Sequence, residues 1–308
     1  MANFNEDYKV RGNSNNSVDQ YFLENANGVP LDLLQRRDGE SLSDLYSFLG
    51  ENYGYREQQA YLGYEGYIIE AAENDPDNTE YISYIQPGDF DQQYQYAATG
   101  LNGKLTFNVG AQYKDFLYLG LNLNSHFINY ERASEFAEFN DNINPDDDII
   151  ETTEVYFGNT LNTNGDGFSF QLGGIAKVGD YVRLGLTYDS PTWFNIREET
   201  TQYLETNSAE NEFVSVLPNI INVFPEYQLQ TPSKFTGSAS VLFGKQGLLS
   251  FDYTAQDYRN IKFKPVSDIN FTNLNTQIDE TMQLSSSYKL GGEYRFSNLS
   301  LRAGFRFE

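Results

Sequence analysis

The stretch Val182-Arg183-Leu184-Gly185-Leu186-Thr187-Tyr188-Asp189 places an apolar side chain at every second position, with Arg183, Gly185, Thr187 and Asp189 in between. Successive side chains of a strand point to opposite faces, so this segment carries one apolar and one polar wall. The alternation returns in Leu117/Leu119/Leu121/Leu123, in Leu249/Phe251/Tyr253 and in Leu299/Leu301/Ala303/Phe305/Phe307. Runs over 105–113, 168–172, 235–243 and 284–296 read alike, and Phe4–Val10 makes a ninth strand. The interleaved positions hold Asn, Gln, Ser, Gly and opposed charges such as Lys289, Glu293 and Arg295. A soluble antiparallel sandwich also alternates, but its polar face is rich in Lys, Glu and Thr looking at bulk water.

The connections add an orientation. Tight turns fall at Lys114-Asp115, Gly179-Asp180, Gly244–Gly247 and Ser297-Asn298, while long polar or acidic stretches occupy 11–92, 137–150, 203–222 and 264–280. Short turns at one end and long loops at the other are the grammar of outer-membrane barrels. The expected fold is therefore all-β, an antiparallel transmembrane β-barrel of outer-membrane type. Residues 1–308 are expected to form a single partial barrel domain, with 11–92 as a long extracellular insertion carrying short helices at Val18–Ala26 and Leu31–Arg37. Bacterial single-chain barrels close with even strand numbers, and the N-terminus Met1-Ala2-Asn3-Phe4-Asn5-Glu6-Asp7 lacks a basic, apolar leader. The chain is accordingly expected to begin inside a longer gene product.

Composition agrees with this reading. Of the residues, 16% are aromatic, yet mean hydropathy is −0.56, a mixture that aromatic girdles and a polar lumen produce together. Lys+Arg number 20 against 44 Asp+Glu, a formal charge of −24, which excludes nucleic acid as a partner because no basic stripe faces phosphates. Cysteine is absent, which removes disulfides, thiolate nucleophiles and Cys-based metal sites.

The segment from Gly173 to Trp193, reading GGIAKVGDYVRLGLTYDSPTW, resembles the outer membrane protein transport family of FadL/TodX type in its Bacteroidetes-like form. So do Thr231-Pro232-Ser233-Lys234-Phe235, the Gly244–Gly247 turn into Leu248–Tyr253, and the closing Leu301–Glu308. The resemblance spans most of 90–308. It implies a fourteen-stranded barrel, of which this chain supplies about nine strands, with the N-terminal hatch and the terminal strands absent. It also implies transport of long-chain fatty acids or aromatic hydrocarbons by a protein of the Gram-negative cell outer membrane, a monomer when complete. No gating residue carries over, because the hatch and the early strands are missing.

Within 11–92, Leu45, Phe48, Leu49, Tyr61, Tyr64, Tyr67, Ile68 and Ile69 crowd a loop far longer than ordinary connections. They are the candidate ligand-binding residues, a groove that gathers a hydrophobic small molecule. The alternative for the same residues is a small satellite core that folds the loop. Asp38 to Asp91 adds 13 acidic residues against Arg56 alone, which reads as a solvated exterior. Asn142–Asp148 and Asn162–Gly167 offer hard oxygens for Ca²⁺, but neither has the spaced bidentate Glu of an EF-hand.

Catalysis finds little support. His126 is the only histidine, expected in an interfacial or loop contact, and no Gly-x-Ser-x-Gly elbow, phosphate loop or zinc motif occurs. The protein is expected to be no enzyme and to use no cofactor. The expected function is passive uptake of hydrophobic small molecules, with outer-membrane lipid around the wall. The alternative is a structural or secretion-associated barrel whose acidic loops bind a protein partner.

Overall fold

A computed structural model describes residues 2–144 and 151–308. In chain order the elements are β1 (Ala2–Asn13), α1 (Val18–Ala26), α2 (Leu31–Leu34), α3 (Leu42–Asn52), α4 (Tyr55–Glu65), β2 (Ile69–Ala71), β3 (Tyr81–Ser83), β4 (Asp89–Tyr113), β5 (Leu117–Phe139), β6 (Thr152–Val178), β7 (Val182–Asp189) and β8 (Trp193–Ser208). There follow β9 (Phe213–Val216), β10 (Asn222–Val223), β11 (Tyr227–Gln230), β12 (Lys234–Phe243), β13 (Gly247–Asp257), β14 (Lys262–Lys264), α5 (Ile269–Thr281), β15 (Leu284–Phe296) and β16 (Leu299–Phe307). The protein is all-β in class, and among the described residues no helix is long and apolar enough to cross a membrane.

One antiparallel sheet of 14 strands follows the order β1-β4-β5-β6-β7-β12-β13-β15-β16, with β8, β9, β10, β11 and β14 attached beside it. The nine strands of that path are the nine that alternation marks in the sequence. Each tight turn opens on a left-handed residue: Lys114 (φ 49°), Gly179 (φ 67°), Gly244 (φ 57°) and Ser297 (φ 48°). Such residues match the right-handed twist of the strands they join.

The chain divides into two compact units: Met1–Gly100, Tyr130–Thr163 and Glu198–Phe224 form unit 1, and Leu101–Asn129, Asn164–Arg197 and Pro225–Glu308 form unit 2. Unit 1 holds 32 of the Asp+Glu and six of the Lys+Arg, a formal charge of −26, whereas unit 2 holds 12 and 14, a charge of +2.

In unit 1, β1 pairs with β4 from Ala2↔Gly100 to Asn13↔Asp89, so the insertion is narrower than expected and covers 14–88. Its ends meet where the Gly88 N–H donates to Ser14 Oγ at 3.0 Å. Inside it, α3 starts on a capping box: Asp44 N–H donates to Ser41 Oγ at 3.2 Å and Ser41 N–H to Asp44 Oδ2 at 3.1 Å. The next helix, α4, is central, with Gln58 to Gly63 all buried. Gly63 lies so close under the Phe22 ring that any side chain there would meet it. The helices bury Phe22, Leu34, Leu45, Leu49, Tyr61 and Leu62 against Val155, Leu204 and Val216 of the sheet in one continuous core. Burial contributes roughly 1.5–3 kcal/mol for each such side chain.

Polar contacts fix how the helices sit on that sheet. Gln59 Nε2 donates to Gln202 Oε1 at 2.7 Å, Gln202 Nε2 returns a bond to Gln59 Oε1 at 3.2 Å, and the Tyr46 hydroxyl donates to Gln202 Oε1 at 2.9 Å. The N-terminus of α1 is capped from elsewhere in the chain. The buried Glu138 carboxylate accepts the Val18 N–H at 3.2 Å, the Ser17 hydroxyl at 2.7 Å and Gln92 Nε2 at 2.6 Å. An anion at a helix N-terminus meets both the free amides and the positive end of the dipole.

Two expected loops and one helix boundary are corrected. The 203–222 stretch is partly strand, because β8 continues to Ser208 and β9 pairs back on it from Leu204↔Val216 to Asn207↔Phe213. The 264–280 stretch is mostly α5, started by Asp268, whose side chain accepts the Asn270 N–H. The second short helix stops at Leu34 rather than Arg37.

Glu138→Ala should leave three buried donors without their acceptor, at roughly 1–3 kcal/mol each. The expected result is faster hydrogen exchange at the Val18 amide. Glu138→Gln, which keeps one acceptor oxygen, should lose clearly less protection.

Candidate functional site

The register of unit 2 sorts its side chains into two faces. One transverse row runs Ala176–Leu184–Ala239–Phe251–Leu290–Phe305, and the next runs Val178–Val182–Val241–Leu249–Gly292–Ala303. This face is bare: Leu186 is 66% exposed and Phe305 69%, with Leu119, Leu184, Phe251 and Leu301 also exposed and Leu121 partly so. Aromatic rings close it at both ends. Tyr188 lies 4.7 Å from Phe235 and Tyr253 5.1 Å from Tyr288 at one end, and Tyr294 lies 4.4 Å from Phe296 at the other.

The opposite face is polar. A side-chain chain crosses four strands: Asn122 Nδ2 donates to Gln171 Oε1 at 2.8 Å, Gln171 Nε2 to Asp189 Oδ1 at 2.5 Å, and Lys234 Nζ pairs with Asp189 at 3.0 Å. Thr236 and Thr254 bond each other at 3.1 Å, and Arg302 pairs with Glu293 at 2.9 Å. Arg183, Asp189, Asp252, Arg302 and Arg306 all occupy this second face by register, as the alternation predicts.

The eight residues singled out in the long insertion separate into two groups. Leu45, Leu49, Tyr61, Ile68 and Ile69 are inside the unit 1 core, each at most 5% exposed, and hold the insertion together, with Ile69 also at the wall of a cleft. These five pack in the unit 1 core cluster, the arrangement of the satellite-core alternative. Phe48 is exposed beside Tyr53, while Tyr64 and Tyr67 border a cleft.

That cleft has a volume of about 740 Å³, within the usual range for small-molecule sites. Leu31, Arg36, Arg37, Tyr64, Glu65, Tyr67, Glu70 and Tyr84 line it. The Tyr67 and Tyr84 rings meet edge to face at 6.0 Å and an angle of 66°. Burial, reinforced by a hydrogen bond to Glu70, pushes the Tyr84 phenol well above its ordinary range, so it stays protonated. Both guanidiniums are engaged in two-pronged bonds: Arg36 to Glu65 at 2.9 and 3.3 Å, and Arg37 to Asp32 at 2.9 and 2.8 Å. The bond from Arg37 in turn holds the Asp32 carboxyl below the usual carboxylate range. Tyr84 was not among the expected site residues, since nothing in its local sequence announces that Ile69–Ala71 pairs with Tyr81–Ser83 and brings it across.

His126 is not a loop contact. Its Nε2 lies 2.8 Å from Ser169 Oγ, which also accepts from Asn124 Nδ2 at 3.2 Å, and Ser169 is buried. The second oxygen-rich run is occupied, because Asp166 pairs with Arg197 at 3.3 Å and Asn164 accepts from Asn129 at 3.0 Å. In the first run, Pro145–Asp148 lie outside the described residues. Among the described residues no three His, Cys, Asp or Glu side chains come together as metal ligands.

No protein-family model matches the chain, and no curated protein matches it. Among solved structures it is similar to the toluene transporter TodX of Pseudomonas putida, with a TM-score of 0.34 and 11% identity over 72% of this chain and 68% of that one. A second structure of the same transporter has a TM-score of 0.33 and 9% identity over 78% and 70%.

Proposed function

We propose that unit 2 is outer-membrane β-barrel wall, with its Leu184/Leu186 face on lipid, and that the protein serves passive uptake of hydrophobic small molecules. The observation that carries this reading is the bare apolar face bounded by two aromatic rows. From Phe235 to Phe243, and from Tyr288 to Phe296, the strands advance eight residues. At roughly 3.4 Å per residue that is about 27 Å along the strand, or about 21 Å across a bilayer for a tilt of ~40°, close to the ~25 Å apolar band of such barrels. In water, a contiguous apolar face of this extent exceeds what soluble monomers leave uncovered. The face behind it is polar and bonded across the strands, as suits a lumen rather than lipid. Sequence motifs over 173–193, resembling transporters of hydrophobic compounds, support the transport half of the reading; long-chain fatty acids and aromatic hydrocarbons are the proposed cargo.

The single tryptophan offers a direct measurement. Trp193 is partly exposed and its ring lies 6.4 Å from Phe170, which itself lies 6.0 Å from Tyr188 of the aromatic row shared with Phe235. In bilayers containing brominated phospholipids, Trp193 fluorescence should be quenched, and more by bromines near the headgroup than by bromines at the bilayer centre. Unquenched emission at the wavelength of water-exposed tryptophan would remove the wall reading. Leu184→Arg, midway between the aromatic rows, should destabilise the inserted protein by about 2–4 kcal/mol, read from its urea midpoint in detergent or lipid. Uptake itself is tested in cells that make the protein. Entry of a labelled neutral hydrocarbon should rise above that of cells without it, and equal rates would refute transport while leaving the wall reading intact.

A further inference from the structure

The end of α4 carries an unusual choice of residue. The helix closes with a Schellman motif: the Ile68 N–H donates to Gly63 O at 3.0 Å and the Tyr67 N–H to Tyr64 O at 3.2 Å. The residue after the C-cap must then be left-handed, a place where glycine is the usual occupant. Here it is Tyr67, at φ 52°, a conformation that is an outlier for a bulky side chain. The residue is 55% exposed and its ring contact is the edge-to-face one with Tyr84, so packing does not account for it. Strain kept at an exposed aromatic beside a cleft points to a role outside the fold.

We propose that this cleft binds a small organic cation, an ammonium group with apolar substituents, between the rings of Tyr67, Tyr84 and Tyr64. The two rings meet edge to face at 66°, and a third tyrosine borders the same space. A cleft walled by three tyrosine rings suits a quaternary or alkylated ammonium. The surrounding charge selects the same sign. Arg36 is closed by Glu65 and Arg37 by Asp32, while Glu70, Asp38 and Glu40 add further carboxylates to the lining, so the surplus charge of the cleft is negative. The whole unit, at a formal −26, adds a field that concentrates cations at the cleft mouth. The inference stands apart from what the wall passes, since every group it uses belongs to the insertion or its immediate support.

The test is isothermal titration of the full chain, at fixed ionic strength, with choline and with its uncharged carbon isostere 3,3-dimethylbutan-1-ol. Choline should bind saturably, and the isostere at least about tenfold more weakly. Tyr67→Gly should weaken choline by about tenfold while its melting temperature stays level or rises, because glycine relieves the left-handed strain. Tyr67→Phe, which keeps the ring, should bind as the unaltered protein does. The proposal is overturned if choline gives no saturable heat, if the isostere binds equally well, or if Tyr67→Gly retains full affinity. None of these outcomes bears on Trp193 quenching, so the cleft and the wall stand or fall separately.

Discussion

Register governs this structure more than any single contact. Side chains on a strand repeat every two residues, so a slip of one position between neighbours would turn the Leu184–Phe251–Phe305 row to the polar side and bring Asp252 and Arg306 out in its place. Backbone pairing alone does not resist such a slip. The four tight turns do, because each opens on a residue already bent into the left-handed region and so fixes which residues face each other. The salt bridges and amide chains on the polar face then add a second lock, since Asp189 reaches Lys234 and Gln171 in one register only.

That same periodicity explains what could be read without coordinates. The nine strands of the main path stood out because one face of each is mainly apolar and the other is not. Strand β8 did not, since its Arg197-Glu198-Glu199-Thr200-Thr201-Gln202 segment is polar on both faces. Its partners are side chains far away in sequence, such as Gln59 and Tyr46 on Gln202. Helix α5 was hidden by its run of Asn and Thr, poor helix formers whose place is set by Asn275 bonding both backbone groups of Phe263 at 2.8 Å. The insertion showed its apolar residues but not their direction. Leu45 and Leu49 point inward from α3 and Tyr61 from α4, while Ile68 and Ile69 enter the core where the chain leaves α4 for β2. Tyr67 was visible as a candidate; the reason it matters, its left-handed backbone after Gly66, was not.

The two units divide the chemistry of the chain. Nearly all surplus negative charge is in unit 1, whereas unit 2 balances its charges in pairs such as Arg302–Glu293. The buried Glu138 carboxylate of unit 1 has no cation among its hydrogen-bond partners. It is stabilised by N–H and O–H donors and by the start of α1, so a region poor in Lys and Arg can still bury an acid.

The narrow neck of the insertion also bears on the order in which the chain can fold. Strands β1 and β4 are neighbours in the sheet, yet the chain between Asn13 and Asp89 is as long as a small domain. Joining them across an unstructured loop of that length would cost roughly 2–3 kcal/mol more loop entropy than a four-residue turn. The Ser14–Gly88 clasp removes most of that difference once α1 to α4 have collapsed, because the folded insertion hands both strands over side by side. The insertion thus works as a preformed hairpin connection, and β1 can wait for its partner without a long search.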